Sequence, residues 1–397
     1  MLAARVNHLR PRDGRDHARV TYVELFFDLV FVFAVTQLSH GLLAHMTLWG
    51  AIQTALLMMA VWWVWIYTSW ITNWLDPERP PVRLMMFALM LAGLVLSASI
   101  PQAFAGRGMT FAAAYVFMQV GRSVFMLWAL RNHDAGNYRN FLRITAWLAL
   151  AAVFWIVGAF SEGNRRIGWW AVAIGLEYLS PAVGMWLPGL GRSTPDDWKI
   201  DGGHLAERCA LFIIIALGES ILMTGATFAE MTWQPLTVTA FAVTFLGSVA
   251  MWAVYFNIGA ERASRLIASA SDPGRLGRSG YTYLHILIVA GIIVYAVANE
   301  LALAHPDGHA DLKTVLVMLG GPALYLAGIA IFKRLSAPNV PLSHLVGLGL
   351  LVLLAATAMS ATLLGLAAGT TGILIVVALW EWASFRQRRP RSPEHGH

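Results

Sequence analysis

The stretch from residue 23 to residue 40 reads VELFFDLVFVFAVTQLSH, a mostly apolar run that contains two carboxylates. A helix needs about 20 predominantly apolar residues to cross a hydrocarbon layer of about 30 Å. Similar runs recur along the chain of 397 residues, and they are continuous rather than alternating. The sequence therefore predicts an all-α polytopic membrane protein and argues against a β-barrel.

The composition also indicates a protein surrounded by lipid. Hydrophobic residues make up 58% of the chain and charged residues only 13%, whereas a soluble domain carries about 25% charged residues. So few charges leave too little polar surface to cover a water-soluble globule of this size. The single cysteine, Cys209, excludes an internal disulfide. The sequence has neither a phosphate-binding glycine loop nor a nucleophile-elbow pattern, so we expect no cofactor. Residues 305–311 (HPDGHAD) could offer His and Asp to a metal, but so short a loop is typical of a polar turn, and we expect no metal.

Twelve transmembrane helices are predicted from the apolar runs, with turn-rich segments between them. The predicted spans are residues 22–42, 48–72, 83–104, 109–131, 140–160, 168–187, 204–228, 235–258, 281–304, 313–333, 342–365 and 370–386. The chain accordingly divides into a basic arm (1–20), a first six-helix half (21–200), a second six-helix half (201–387) and a tail (388–397).

The distribution of Lys and Arg predicts the orientation of these spans. With the N-terminus in the cytoplasm, the inner segments hold 22 basic residues and the outer loops hold four. This asymmetry satisfies the positive-inside rule, although Arg165 and Arg166 fall in an outer loop. We therefore expect both termini in the cytoplasm. The formal net charge of +6 then reflects topology, and the expected surroundings are a lipid bilayer rather than nucleic acid.

The two halves contain similar segments at corresponding positions. Residues 91–96 (LAGLVL) match residues 289–294 (VAGIIV), and the aromatic run 63–65 (WVW) matches 252–255 (WAVY). Two halves that each have an even number of spans must have the same orientation. We therefore predict two parallel six-helix repeats, an arrangement found in several transporters.

The first span carries a polar stripe. Glu24, Asp28, Thr36 and His40 are separated by multiples of four residues and therefore share one face of a helix. Charged side chains within hydrocarbon cost a few kcal/mol each, so each one needs a partner or a role. Two interpretations stay open: the carboxylates stabilise helix packing through hydrogen bonds, or they have a direct functional role.

Polar residues also share a face of the seventh span. His204 and Arg208 are one turn apart, and Glu219 returns to nearly the same face eleven residues after Arg208. Gly218 and Ser220 flank Glu219, and such small residues allow another helix to approach closely. A functional role and a structural ion pair are both open for these residues. We predict that Arg208 lies within salt-bridge distance of a carboxylate of the first span.

Three further buried charges are predicted: Arg122 in the fourth span, Glu177 in the sixth and Glu381 in the twelfth. With Asp28 and Glu219, the spans then hold more carboxylates than arginines. An unpaired ion in a low dielectric is unstable. This excess predicts that a proton or another cation neutralises some of the carboxylates.

Two of these segments resemble the signatures of a known family. Residues 24–40 (ELFFDLVFVFAVTQLSH), together with residues 204–208 (HLAER) and 215–220 (IALGES), resemble the bacterial low temperature requirement A family. Cys209 and Ala210 depart from the aromatic-glycine pair expected at that place. The resemblance implies a multi-pass protein of the bacterial cytoplasmic (inner) membrane, linked by name to growth in the cold. It implies no established substrate or catalytic residue.

The buried charges suggest three functions. The first is a proton- or cation-coupled secondary transporter of a small ion or small molecule, with a site between the two halves. The alternatives are an intramembrane enzyme that acts on lipid, with Asp28 or Glu219 and a histidine as acid and base, and a membrane sensor or scaffold. The predicted site residues are Glu24, Asp28, Thr36, His40, Arg122, Glu177, His204, Arg208, Glu219 and Glu381.

Overall fold

The structure, a computed structural model, describes residues 7–11, 19–198, 200–256, 267, 273–336 and 341–388. Within these ranges the regular secondary structure is helical. No β-strand forms in them, and the extended pairing is limited to three isolated β-bridges. The described residues therefore confirm the predicted all-α class.

Twelve helices follow one another along the described parts of the chain. We number them α1 (Tyr22–Ala44), α2 (Leu48–Trp74), α3 (Pro80–Ser99), α4 (Gly108–Leu130), α5 (Ala135–Phe160), α6 (Gly163–Ala182), α7 (Gly202–Glu230), α8 (Pro235–Phe256), α9 (Gly274–Ala304), α10 (Leu312–Ser336), α11 (Leu342–Ala355) and α12 (Leu363–Arg388). A π-helical turn, Phe117–Gly121, lies within α4, and a longer π-helical segment, Gly277–Leu284, lies within α9.

Ten of the described helices are long and apolar enough to cross a membrane. The other two are α6, which has the length but also three charged residues, and α11, which has only 14 residues. The chain is thus a multi-pass helical membrane protein. Twelve spans and a repeat of six helices stay predictions.

The predicted eleventh span, residues 342–365, extends beyond the end of the helix that forms there. The helix ends at Ala355, a short 3₁₀ turn follows at Ala358–Ser360, and α12 already begins at Leu363. Residues 355–361 are small or apolar, so hydropathy does not reveal this turn. The first two backbone N–H groups of α12 are satisfied by the loop between α9 and α10, since Leu363 N donates to Gly308 O at 2.9 Å and Leu364 N donates to Pro306 O at 3.0 Å.

Helix α1 shows how the side chains are distributed in a lipid-facing protein. Its carboxylates, Glu24 and Asp28, are buried, whereas Phe26, Leu29 and Phe33 are exposed on its outer side. This is the reverse of a helix in a soluble protein, in which the polar face meets the solvent. Hydrocarbon around the bundle accounts for it, because intramembrane ionisable groups turn towards the protein interior.

The chain forms two compact units. The first contains Met1–Glu219 and Ile267–Ile286, and the second contains Ser220–Leu266 and Leu287–His397. In the first unit α1 packs against α2 and α3, and α5 packs against α6. In the second unit α12 packs against α8 and α11. The predicted halves, 21–200 and 201–387, rest on sequence similarity and stay a prediction.

Close helix packing in the second unit depends on glycine. A Cβ atom at Gly291 of α9 would lie 2.5 Å from the backbone N of Tyr325 of α10. One at Gly321 of α10 would lie 2.7 Å from the backbone N of Tyr295 of α9. The two backbones therefore approach each other where neither has a side chain, the packing mode typical of membrane helices.

Candidate functional site

Two helices of the first unit place their polar stripes against each other. Oε1 of Glu24 lies 3.0 Å from Nε2 of His204, and one turn further Oδ1 of Asp28 lies 2.8 Å from Nη2 of Arg208. Both pairs follow the same direction along the two helices, since a step of four residues on α1 matches a step of four residues on α7. The helices α1 and α7 are therefore parallel here. The predicted proximity of Arg208 to a carboxylate of the first span is confirmed.

Helix α2 completes this arrangement with three residues spaced four apart. Nε1 of Trp65 donates to Oδ1 of Asp28 at 2.8 Å, and Arg208 donates to Oγ of Ser69 at 3.3 Å. Nδ2 of Asn73 lies 3.3 Å from Nδ1 of His204. A four-residue spacing keeps side chains on one helix face. The same face of α2 therefore contacts both the Asp28–Arg208 pair and the Glu24–His204 pair. We call this set the ion-pair ladder; it comprises Glu24, Asp28, Trp65, Ser69, Asn73, His204 and Arg208.

Helix caps fix the register of the ladder. Thr21 caps α1 and forms a reciprocal capping box with Glu24. At the start of α7, the backbone N of His204 donates to Oδ1 of Asp201 at 3.1 Å. The side-chain amide of Asn73 both donates to and accepts from the backbone of Asp201, at 2.8 and 2.7 Å. These capping contacts fix the first turns of α1 and α7 next to each other, so that Glu24 contacts His204.

The N-terminal segment contributes a residue that the sequence did not predict as part of the site. Arg10 N donates to Trp74 O at 2.8 Å, and its Nε donates to Thr72 O at 2.7 Å, which holds the segment on the end of α2. Its Nη2 then lies 2.9 Å from Oε2 of Glu24. In the sequence, the arginines of the basic arm served only to predict the membrane orientation. Helical periodicity cannot predict which residues a non-helical segment contacts, so the contact of Arg10 with Glu24 was not predicted.

The second pair of the ladder is fully buried. The side chains of Asp28 and Arg208 both have 0% exposure, and the guanidinium lies 5.7 Å from the centre of the Trp65 ring. Oδ2 of Asp28 and Nη1 of Arg208 have no hydrogen-bond partner among the described residues. Removing one charge would leave the other uncompensated in a low dielectric, which is far more costly than removing both.

Further along the same helices, Thr36 donates a short hydrogen bond from Oγ1 to Oε2 of Glu219. Glu219 is 1% exposed, and its Oε1 has no hydrogen-bond partner among the described residues. Within the same ranges no Lys, Arg or His makes a salt bridge with it. His40, at the end of the predicted stripe, is exposed and forms no hydrogen bond with Glu219.

Arg122 and Glu177 belong to a second buried cluster of the first unit. Gln119, in the π-helical turn of α4, donates to Oε2 of Glu177 at 3.0 Å and accepts from Nη2 of Arg122. Glu177 also accepts from Oη of Tyr115 at 2.5 Å and from Nε1 of Trp155 at 3.0 Å. The two predicted charges are therefore linked through an amide. Sequence reasoning missed Gln119 because it is neutral, although π-helical turns often occur at functional sites.

Glu381 is neutralised within the second unit. Its Oε2 lies 2.6 Å from Nζ of Lys333, and its Oε1 accepts from Ser343 and lies 3.5 Å from Nδ1 of His344. Glu381 and Lys333 are about one-sixth exposed. The pair therefore has the character of a partly hydrated structural ion pair.

These contacts revise the predicted charge imbalance. Arg10 pairs with Glu24, Arg208 with Asp28 and Lys333 with Glu381, while Arg122 reaches Glu177 through Gln119. Of the five carboxylates predicted as site residues, Glu177 and Glu219 make no salt bridge in the described part of the chain. Glu177 is linked to Arg122 through Gln119, whereas the hydrogen bond to Glu219 comes from Thr36. No group of three metal-ligating side chains occurs within that part either.

The fold and these buried pairs define a multi-pass α-helical membrane protein whose helices are joined by intramembrane ion pairs. The family model of the bacterial low temperature requirement A protein (LtrA) matches residues 19–379, nearly the whole chain. The chain belongs to this family. It is 42% identical over 389 residues to an uncharacterized protein of Rhizobium meliloti (strain 1021), across 98% of this chain and 95% of that relative. No solved structure matches it.

Proposed function

We propose that this protein is a proton- or cation-coupled secondary transporter in which Glu219 binds the coupling ion. The observation that carries the proposal is the buried carboxylate of Glu219, which has Thr36 as a hydrogen-bond donor and makes no salt bridge among the described residues. A carboxylate in such surroundings requires a proton or a metal cation for neutrality. A group whose charge changes with occupancy is the usual element of ion coupling in pumps and transporters.

The coupling follows from the cost of a bare charge in a membrane. When Glu219 holds a proton or cation, its helix tolerates apolar surroundings; when the ion leaves, the carboxylate requires water. Two conformations that differ in water access would therefore differ in ion affinity, and ion binding would shift their populations. Gly218 and Ser220 beside it leave room for a neighbouring helix to move closer.

In this proposal the ion-pair ladder has a positioning role. It holds α1, which carries Thr36, against α7, which carries Glu219, through the contacts of Asp28 and Arg208. By sequence, α1 comes from the first predicted half and α7 from the second. Twelve spans in two parallel repeats, an inner-membrane location and cytoplasmic termini complete the proposal.

The contact of His204 with Glu24 favours a second candidate, an intramembrane enzyme with an acid–base pair. In this structure Glu24 also accepts from Arg10 and from Thr21, and both members of the pair have 0% side-chain exposure. These contacts occupy the carboxylate and separate it from any lipid substrate. Transport is therefore the better supported function.

A solute screen in proteoliposomes tests the proposal. The purified full chain is reconstituted with a pH-sensitive dye inside, and a panel of small solutes is added under an imposed proton or Na⁺ gradient. We expect solute uptake that depends on one of the two gradients. Uptake at the same rate with and without either gradient would contradict coupling. Absence of uptake across a broad panel of solutes would contradict transport.

A further inference from the structure

A cavity of about 490 Å³ lies within the first unit, among α2, α5, the end of α6, the loop after α6 and the start of α9. Its volume is in the range of small-molecule sites. The helix ends around it face the side that the positive-inside rule assigns to the cytoplasm. None of the ion-pair ladder residues lines it.

One side of the cavity is a continuous wall of aromatic rings. Trp70 and Trp74 are one turn apart on α2, with ring centroids 6.1 Å apart. Trp198 meets Trp70 edge-on at 5.4 Å, and Phe141 of α5 meets Trp74 edge-on at 5.6 Å. Such a wall offers ring faces and edges to a flat apolar group, and aromatic contacts of this kind add to simple area burial.

Three arginines give the same cavity a positively charged region. Arg275 and Arg278 are three residues apart at the start of α9, and Arg192 comes from the loop after α6. Arg278 is oriented by a hydrogen bond from Nη1 to Pro181 O at 3.3 Å. Guanidinium groups bind phosphate and carboxylate through paired hydrogen bonds.

The loop that carries Arg192 is held in place by its own contacts. Arg143 of α5 donates to Leu190 O from Nε and Nη2, at 3.0 and 2.7 Å. Ser193 Oγ donates to Oδ1 of Asn140 at 2.5 Å. The nearby Asp197 accepts from Arg143 and from Thr194, so this acidic side chain already has donors of its own. The cavity is therefore formed by anchored elements and is largely preorganised for a ligand.

We propose that this cavity binds an amphipathic organic phosphate, with its apolar body against the tryptophan wall and its phosphate among Arg192, Arg275 and Arg278. A soluble phosphate ester and the headgroup of an anionic phospholipid share this chemistry. The inference goes beyond the proposed transport function and does not depend on it, because it uses none of the residues of the ladder or around Glu219.

The probe is naphthyl phosphate, which combines one flat apolar body with one phosphate. Its binding to the purified full chain in detergent is measured by isothermal titration calorimetry, with naphthol and inorganic phosphate as half-ligands. We expect saturable binding of naphthyl phosphate and much weaker binding of either half. Replacing Arg275→Gln and Arg278→Gln together should weaken binding by at least about tenfold, because both charge-assisted donors to the phosphate are then lost.

Arg139→Gln is the matched control, since Arg139 is an exposed arginine near the same ends of the helices and does not line the cavity. The exposed Arg192→Gln provides a separate test if the double variant does not fold. Displacement of the probe by phosphatidylglycerol, but not by phosphatidylcholine, would identify a lipid headgroup; no displacement would identify a soluble ester. Both outcomes support the site. Absence of saturable binding, or equal binding by wild type and the arginine variants, would overturn it.

Discussion

Nη2 of Arg208 and Oδ1 of Asp28 are 2.8 Å apart, and neither side chain has any exposed surface. This ion pair joins the two segments that carry the family resemblance, one near the start of the chain and the other near its middle. Trp65 and Ser69 of α2 supply further polar contacts to the same two groups. The pair is therefore the point at which three helices of the first unit depend on one another.

The first prediction concerns the energetic coupling of this pair. Arg208→Ala leaves Asp28 buried without a cation, and we expect it to lower the free energy of unfolding by about 3–5 kcal/mol. The double variant Asp28→Ala with Arg208→Ala should be more stable than Arg208→Ala alone, because neither charge is then stranded. Thermal unfolding in detergent, together with the yield of monodisperse protein, measures both.

Glu207→Ala is the control for this series, since Glu207 lies next to Arg208 in sequence and is exposed. We expect little change from it. Strictly additive losses in the double variant would show that the two residues do not interact. The contact between Asp28 and Arg208 would then contribute nothing to the free energy of unfolding.

A second prediction concerns the N-terminal segment. Arg10→Gln removes the cation next to Glu24, and we expect a loss of about 1–3 kcal/mol, since Thr21 and His204 still contact the carboxylate. Arg19→Gln changes an exposed arginine close by and should have almost no effect. Equal unfolding temperatures for the two variants would show that Arg10 does not anchor the segment.

Helical periodicity predicted the two polar stripes of the ladder and the approach of Arg208 to the first span, but not the α2 residues Trp65, Ser69 and Asn73. Glu24 with Asp28 and His204 with Arg208 have the same four-residue spacing, so one contact between the helices brings both pairs together. Arg10 was outside this reasoning. Its position depends on hydrogen bonds of an irregular segment to the end of α2, for which no periodic pattern exists.

Other features of the site depend on partners that look unremarkable in sequence. Gln119 is an uncharged residue, yet it connects Arg122 to Glu177. Lys333 reads as a basic residue at an inner helix end, yet it neutralises Glu381. A count of charges within spans overestimates the imbalance in such cases, because long side chains at helix ends reach carboxylates inside the span.

The third prediction tests the close packing of α9 and α10. Gly321→Ala places a Cβ atom 2.7 Å from the backbone of Tyr295, and we expect a loss of about 1–3 kcal/mol from overpacking. Gly320→Ala is the matched control, because a Cβ at Gly320 has no neighbour within 4 Å. It should be neutral or stabilising by up to about 1 kcal/mol. Equal thermal stability of the two variants would contradict the packing.

A fourth prediction concerns orientation. Reporter fusions after His397 and in the loop around Pro77 should report the cytoplasm, and a fusion near Asp307 should report the external side. The reason is the excess of basic residues in the predicted inner segments. With the N-terminus in the cytoplasm, an external C-terminus would exclude an even number of spans and, with it, two parallel repeats of six helices.

The central claim, that Glu219 couples an ion to transport, is tested most directly by separating exchange from accumulation. Proteoliposomes containing the full chain are loaded with a solute identified in the screen, and the same solute is followed with and without the driving ion gradient. Glu219→Gln keeps the side-chain shape but cannot exchange a proton or bind a cation by charge. We expect it to retain solute exchange at equal concentrations and to lose gradient-driven accumulation, while Glu207→Gln behaves like the wild type. Gradient-driven accumulation by Glu219→Gln at the wild-type level would contradict the account.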